Sequence, residues 1–239
     1  MTHFTRRAFL SSSVLASGVV LAGCQTTTTS ESGRITRYTD DGRPIATTRA
    51  EPLSAVAARY GVTPISYEAR QDGPHLIPAT GVSILEPQFH RDVVPYTTRH
   101  APGTIVIDNG ARQLFLVLEG GHALRYGISV GREGFTWRGT GTIYRRAHWP
   151  TWTPTPAMIR RDPGVAKYAG GYPGGPSNPL GSRALYLLTG GADRGYRIHG
   201  TPEWWKIGEY VSSGCIRMNH HDAIDLYDRV PNGTRVITI

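Results

Sequence analysis

The sequence predicts a mainly β domain, a sandwich or meander, with one or two short helices and one long Gly/Pro-rich loop. Three observations carry that expectation. Short apolar or alternating runs follow one another from Gly103 to Trp149, split by turn dipeptides. Glycine (29) and proline (17) are abundant in a chain of 239 residues, which favours strands, turns and loops over helices. Helical spacing of apolar residues shows in two segments, "PLSAVAARY" and "NHHDAIDLYDRV".

In chain order, "MTHFTRRAFLSSSVLASGVVLAGC" has a basic start, a short apolar run and then small residues. That is the pattern of a secretory leader, too short and too rich in serine to span a membrane stably. The stretch Thr5 to Leu10 resembles a twin-arginine export signal. Leu21-Ala22-Gly23-Cys24 resembles a lipobox, which makes residues 1–23 the signal peptide and Cys24 the lipidated first residue of the mature chain. Gln25, where an aspartate would favour the inner membrane, implies the outer one by the same resemblance. Residues 24–50 are polar and read as a flexible tether.

Residues 51–102 read as a segment that wraps the domain. It opens on a helix from Pro52, with Leu53, Val56, Ala57 and Tyr60 on one face and Gly61 ending it. From residue 103 to 239 runs the main domain. "GTIVID", "QLFLVLEGG", "HALRYGISVG" and "TGTIYRRAHW" form its meander, with Asn109-Gly110 and Gly120-Gly121 as hairpin turns. Residues 150–183 are too long for an ordinary connection, and Trp149, Trp152, Tyr168 and Tyr172 lie in or beside them, which points to a loop that covers a ligand. Strands return at "ALYLLT" and "YRIHG". A helix follows from an N-cap at Asn219 to Pro231-Asn232-Gly233, and "TRVITI" closes the chain.

The net charge is +8, lower by two once a leader holding Arg6 and Arg7 is removed. No nucleic-acid motif accompanies it, so no nucleic-acid partner is expected. Of the two cysteines, acylation of Cys24 leaves Cys215 without an intramolecular partner, the mark of a reactive thiol or an intermolecular pair. A thiol attacks as thiolate, and free cysteine titrates near ~8.5, so a base must take its proton. His199 lies sixteen positions upstream. A strand ending there, a loop through Trp204-Trp205 and a return to Cys215 would bring the two face to face. Ser212-Ser213-Gly214-Cys215 has the form of a tight turn in which the N–H groups of Ser213, Gly214 and Cys215 converge as an oxyanion hole. Arg217, two residues on, points to the side of Cys215 if the stretch is extended, suited to a carboxylate. His220 and His221 are expected at the surface. With no third ligand in pattern, neither a metal nor another cofactor is expected.

"IHGTPEWWKIGEYVSSGCIRM" closely resembles the signature of the L,D-transpeptidases with a YkuD-type catalytic domain: a His, a dozen or more residues, then Ser/Thr-x-Gly-Cys-x-Arg/Asn. The flanks "NPLGSRALYL" and "DLYDRVPNGT" resemble the family too, and the likeness covers residues 103–239. It implies the L,D-transpeptidase fold, with Cys215 as nucleophile and His199 as base, oriented by the Gly200 carbonyl. It also implies oxyanion N–H groups from Ser213, Gly214 and Cys215, and a substrate-holding Arg217. Ser212 matches the family's Ser/Thr position and joins the substrate-side set with Tyr172 and Trp152 of the loop. Many members have His where this chain has Ser213, so His199 must act alone. The implied reaction forms a Cys thioester on the diaminopimelate of a peptidoglycan tetrapeptide stem, releases D-Ala and makes a 3→3 cross-link. Water, a free D-amino acid or a lysine of an envelope protein remain alternative acceptors, and a non-catalytic wall-binding lipoprotein is the reading from another class. The implied place is the periplasm, with Cys24 holding the chain to the inner leaflet of the outer membrane.

Overall fold

The computed structural model describes residues 37–38, 44–45, 51–62, 65–132, 137–212 and 214–239. The chain divides into two compact units, residues 1–51 and 52–239. In the first, β1 (Arg37–Tyr38) pairs antiparallel with β2 (Pro44–Ile45). The expected signal peptide, Cys24 and most of the expected tether lie outside the described residues.

The second unit opens with α1 (Leu53–Arg59), which follows Pro52 and buries Val56 and Ala57. Gly61, at φ +60°, turns the chain out of the helix, as its place in the sequence predicts. A hairpin of β3 (Arg70–Asp72) and β4 (His75–Ile77) comes next. β5 (Asp92–Pro95), β6 (Ile105–Asp108), β7 (Gln113–Val117) and β8 (His122–Gly127) form an antiparallel meander in the order β6-β7-β8-β5. After the short β9 (Val130–Gly131), β10 (Gly139–His148), β11 (Arg183–Thr189) and β12 (Ala192–Gly200) make a second meander. β13 (Tyr210–Ser212) pairs with β9, and β14 (Ile216–Met218) lies parallel to β12.

The last strand, β15 (Arg235–Thr238), joins the two meanders, antiparallel to β10 and parallel to β6. The result is one nine-stranded sheet, ordered β14-β12-β11-β10-β15-β6-β7-β8-β5. Buried side chains from both meanders form a single core. Ile105, Leu114 and Leu124 belong to it from one side, and Ile143, Leu185 and Ile198 from the other. At about 25 cal/mol per Å² of apolar surface removed from water, such residues are the main force holding the sheet to its helices.

The two expected hairpin turns differ in chemistry. Gly120 (φ +72°) and Gly121 (φ +77°) both adopt the left-handed conformation and, with Glu119, make the three-residue loop that closes between Leu118 and His122. At Asn109-Gly110 the left-handed residue is instead Arg112 (φ +55°), and the Asp108 carboxylate closes the turn by accepting from the Ala111 N–H at 2.8 Å. The Gly/Pro-rich stretch 150–183 is more ordered than its composition suggests. It holds α2 (Pro156–Arg161), capped by Thr155, whose hydroxyl accepts from the Met158 N–H, and a 3-10 turn over Pro163–Tyr168. Pro156 and Pro163 start these turns at the position where a missing N–H costs nothing.

α3 (His220–Arg229) follows β14 directly, with the Asn219 side chain accepting from the Asp222 N–H as the N-cap. The segment before the sheet packs over this helix. Tyr67 donates to Asp222 at 3.0 Å, and Arg91 lies 3.6 Å from Asp222 and 3.1 Å from Asp225. His220 and His221, expected at the surface, are only 2% and 3% exposed. His221 bonds the Thr80 hydroxyl and the Glu68 carbonyl, and His220 accepts from the Ser182 N–H. The surface expectation fails because a polar helix face looks solvated in sequence, whereas here residues 65–91 cover His221, and Ser182 and Trp149 cover His220.

Candidate active site

The site is built where β12 and β14 run side by side. Their register sets Ile198 against Ile216, His199 against Arg217 and Gly200 against Met218. Cys215 is the residue that leads into β14, so the strand pairing carries the thiol to the neighbourhood of the imidazole. His199, Cys215, Arg217 and Ser212 line one cavity of about 520 Å³. Trp152, Met158, Asp162 and Leu180 of the 150–183 stretch line it too, as do Glu203 and Arg132.

His199 is buried, and its Nδ1 lies 2.6 Å from the Gly200 carbonyl. A carbonyl only accepts, so Nδ1 carries the ring proton and Nε2 is left as the basic nitrogen. Burial pulls the imidazole pKa down to about 4, against the upward pull of the Gly200 carbonyl; Arg217 and Arg197 lower it further. Cys215 is half-buried. Burial pushes its thiol up, with Arg197 and Arg217 pulling the other way. The pair at rest is therefore a neutral thiol and a neutral imidazole. The thiol's hydrogen bond in this arrangement goes to the Gly195 carbonyl, 3.7 Å away. Catalytic hydrogen bonds often form only once substrate is bound.

Gly214 sits at φ +115°, a conformation that L side chains rarely adopt, which is why glycine precedes the thiol. Ser212 ties this turn together. Its hydroxyl donates to the Cys215 carbonyl at 2.5 Å and accepts from the Gly214 N–H at 3.2 Å. The Gly214 N–H is thus spent inside the turn, and Ser213 lies outside the described residues. Arg217 reaches the cavity wall already partnered, donating to Thr201 at 2.7 Å and pairing with Glu203.

Of the two loop aromatics singled out in the sequence, Trp152 lines the cavity and Tyr172 does not. Tyr172 pairs its backbone with Trp152 (2.9 and 2.7 Å) and stacks its ring on Tyr168, so it shapes the loop. Glu203, Arg132 and Asp162 are wall residues that sequence reasoning missed. A lone acid in "TPEWWK" gives no signal until the fold sets it against Arg217.

A model of the L,D-transpeptidase catalytic domain, YkuD, matches residues 102–238. The chain belongs to this L,D-transpeptidase family. An Escherichia coli protein named as a probable L,D-transpeptidase, ErfK/SrfK, is 33% identical over 196 residues, which are 78% of this chain and 58% of that one. A Fuscovulum blasticum protein, named as an L,D-transpeptidase in an ATP synthase subunits region, is 33% identical over 183 residues, 69% of this chain and 93% of that one. Among solved structures, a Brucella melitensis protein described as a probable carnitine operon oxidoreductase is 46% identical, covers 66% of this chain and 99% of its own, and overlays with a TM-score of 0.45. An overlay that loose carries no weight. The family match spans the sheet from just before β6 to the end of β15, and so contains His199 and Cys215.

Proposed function

We propose that this L,D-transpeptidase family member is a cysteine acyltransferase acting on peptidoglycan stem peptides, with Cys215 as nucleophile and His199 as sole base. The reading rests above all on one observation. His199 and Cys215 line the same cavity, and the Gly200 carbonyl fixes the imidazole with Nε2 free to take a proton.

The proposed reaction has two halves. Sγ attacks the carbonyl carbon between the L-centre of diaminopimelate and D-Ala while Nε2 takes the thiol proton. The carbonyl oxygen becomes an oxyanion, for which the Cys215 N–H and that of Ser213 are the donors. Collapse breaks the amide bond, the departing D-Ala amine takes the proton from His199, and a thioester remains. A second stem's diaminopimelate amine then attacks the thioester, its proton passes to His199, and the released sulfur is reprotonated. The product is a 3→3 cross-link. Arg217 with Glu203 and Arg132 presents charge of both signs, suited to the carboxylate and ammonium groups of a diaminopimelate stem. Ser212 positions the nucleophile turn, and Trp152 supplies an apolar wall.

The chain is exported to the periplasm, residues 1–23 are its signal peptide, and Cys24 carries lipid that holds it to the outer membrane through the 24–50 tether. The lipobox Leu21-Ala22-Gly23-Cys24 supports this, and palmitate labelling lost in Cys24→Ser tests it.

Muropeptide analysis tests the activity. Wild-type protein with disaccharide tetrapeptides yields a new cross-linked dimer and free D-Ala, and Cys215→Ala, with unchanged circular dichroism, yields neither. A tripeptide in place of the dimer assigns water as acceptor. Cross-linking by Cys215→Ala overturns the mechanism.

A further inference from the structure

We propose that Asp72 is a positioning residue that latches both roots of the loop roofing the active-site cavity. The inference rests on the acyltransferase reading for what the loop covers, and on geometry for the latch itself. The loop leaves the sheet at Trp149, just past β10, and returns at Arg183, the first residue of β11. Between these roots it supplies Trp152, Met158, Asp162 and Leu180 to the cavity wall. One carboxylate holds both roots. Asp72 accepts from the Trp149 indole N–H at 2.7 Å, and takes both terminal nitrogens of Arg183 at 2.7 and 2.8 Å. This is the paired fork in which a guanidinium binds a carboxylate best.

The roots need holding. Trp149 is a non-glycine residue at φ +40°, a conformation that costs free energy and persists only where its surroundings enforce it. Besides Asp72, the rings of His75 (4.6 Å) and His220 (5.8 Å) enclose its indole. Arg183 is 4% exposed, so without Asp72 its charge would stay buried without its carboxylate partner. Its Nη1 also donates to the Ser182 carbonyl, which accepts the Trp149 N–H and so closes the neck of the loop. Asp72 and His75 both come from the β3–β4 hairpin, outside residues 102–238 that match the family model. The latch is therefore a contribution of the preceding segment to the shape of the cavity.

The test uses the full chain with Cys24→Ser, in which Cys215 is the sole thiol. Alkylation of Cys215 is timed with small iodoacetamide and with a bulky fluorescein maleimide. In Asp72→Ala the loop roots loosen, and the bulky-to-small rate ratio rises about tenfold, the size expected for loss of a charge-assisted hydrogen-bonded pair. KM for a stem tetrapeptide rises by a similar factor while kcat falls less. Asp72→Glu, which keeps the carboxylate, restores part of both. Trp149→Phe, which removes the indole N–H together with part of the ring and leaves the Asp72–Arg183 pair in place, moves the ratio the same way by less, and decides the matter if Asp72→Ala does not fold. A folded variant with the wild-type ratio and KM overturns the proposal. So does equal acceleration of both reagents, which is general loosening. Failure of the acyltransferase reading would show as activity surviving in Cys215→Ala and would leave the alkylation ratio interpretable.

Discussion

At the residue scale, Cys215 and His199, the proposed nucleophile and base, rest uncharged, and burial is the cause for both. A preformed thiolate–imidazolium pair would need a thiol pKa below that of the histidine, and here burial pushes the thiol up and the imidazole down to about 4. Proton transfer therefore belongs to the attack itself. The sign follows for pH dependence. With His199 as the proposed neutral base, kcat/KM is expected to hold on mild acidification and to fall only as pH drops through about 4. A pH–rate profile whose acid limb lies near 6.5 would instead report an ordinary, unburied imidazole. Iodoacetamide labelling of Cys215 without substrate is expected to climb steadily with pH above neutrality, with its plateau displaced to higher pH than for an exposed cysteine, because burial makes the resting thiol keep its proton. From Ile198 to Met218, His199 is the one imidazole.

At the scale of elements, the site depends on the close approach of two glycines. Gly181, at φ +62°, packs against the backbone of Gly200 at the end of β12. A Cβ there would meet the Gly200 carbonyl carbon at 2.5 Å and the Thr201 nitrogen at 2.8 Å. Gly181→Ala is expected to destabilise the fold by roughly 2 kcal/mol or more through the left-handed strain and the clash together. Because the backbone that must yield carries the carbonyl orienting His199, kcat should fall as well. Urea midpoints and steady-state rates check both, and a variant as stable and active as wild type would show that the contact is not needed. The helical spacing of "NHHDAIDLYDRV" locates α3, and Asn219 marks its start, both legible in sequence because capping and periodicity are local. The burial of His220, His221 and Asp222 on the same helix is not local. For His221 and Asp222 it follows from Tyr67, Thr80 and Arg91, more than a hundred residues away, and for His220 from Ser182 and Trp149.

At the scale of the whole molecule, the buried titratable groups set how stability depends on pH. His199 and His220 are drawn to about 4 and His221 is lowered, each first by burial. A base whose folded pKa is depressed contributes stability present above its ordinary value near 6.5 and lost as pH falls through the folded value. For His199 and His220 that loss is on the order of 3 kcal/mol apiece. Asp222, pushed up to about 6 by burial, acts in the opposite sense, adding stability on the acid side that vanishes as pH rises through 6. Asp225, held low by Arg229 and Arg91 despite its burial, sides with the histidines. The urea midpoint is therefore expected to drop markedly between about pH 7 and pH 4, and a midpoint that rises on acidification would show that Asp222 dominates. What the sequence by itself determined was the local grammar: strand runs, the double-glycine turn, helix caps, and a glycine-borne thiol downstream of one histidine in a recognisable family motif. The tertiary structure alone decided that β15 would join two meanders into one sheet, that Glu203 would meet Arg217, and that Asp72 would hold both ends of a distant loop. Periodicity and turn chemistry act over a few residues and leave their mark in composition, whereas contacts between remote segments depend on which surfaces the closed sheet brings together, and no single stretch of sequence carries that information.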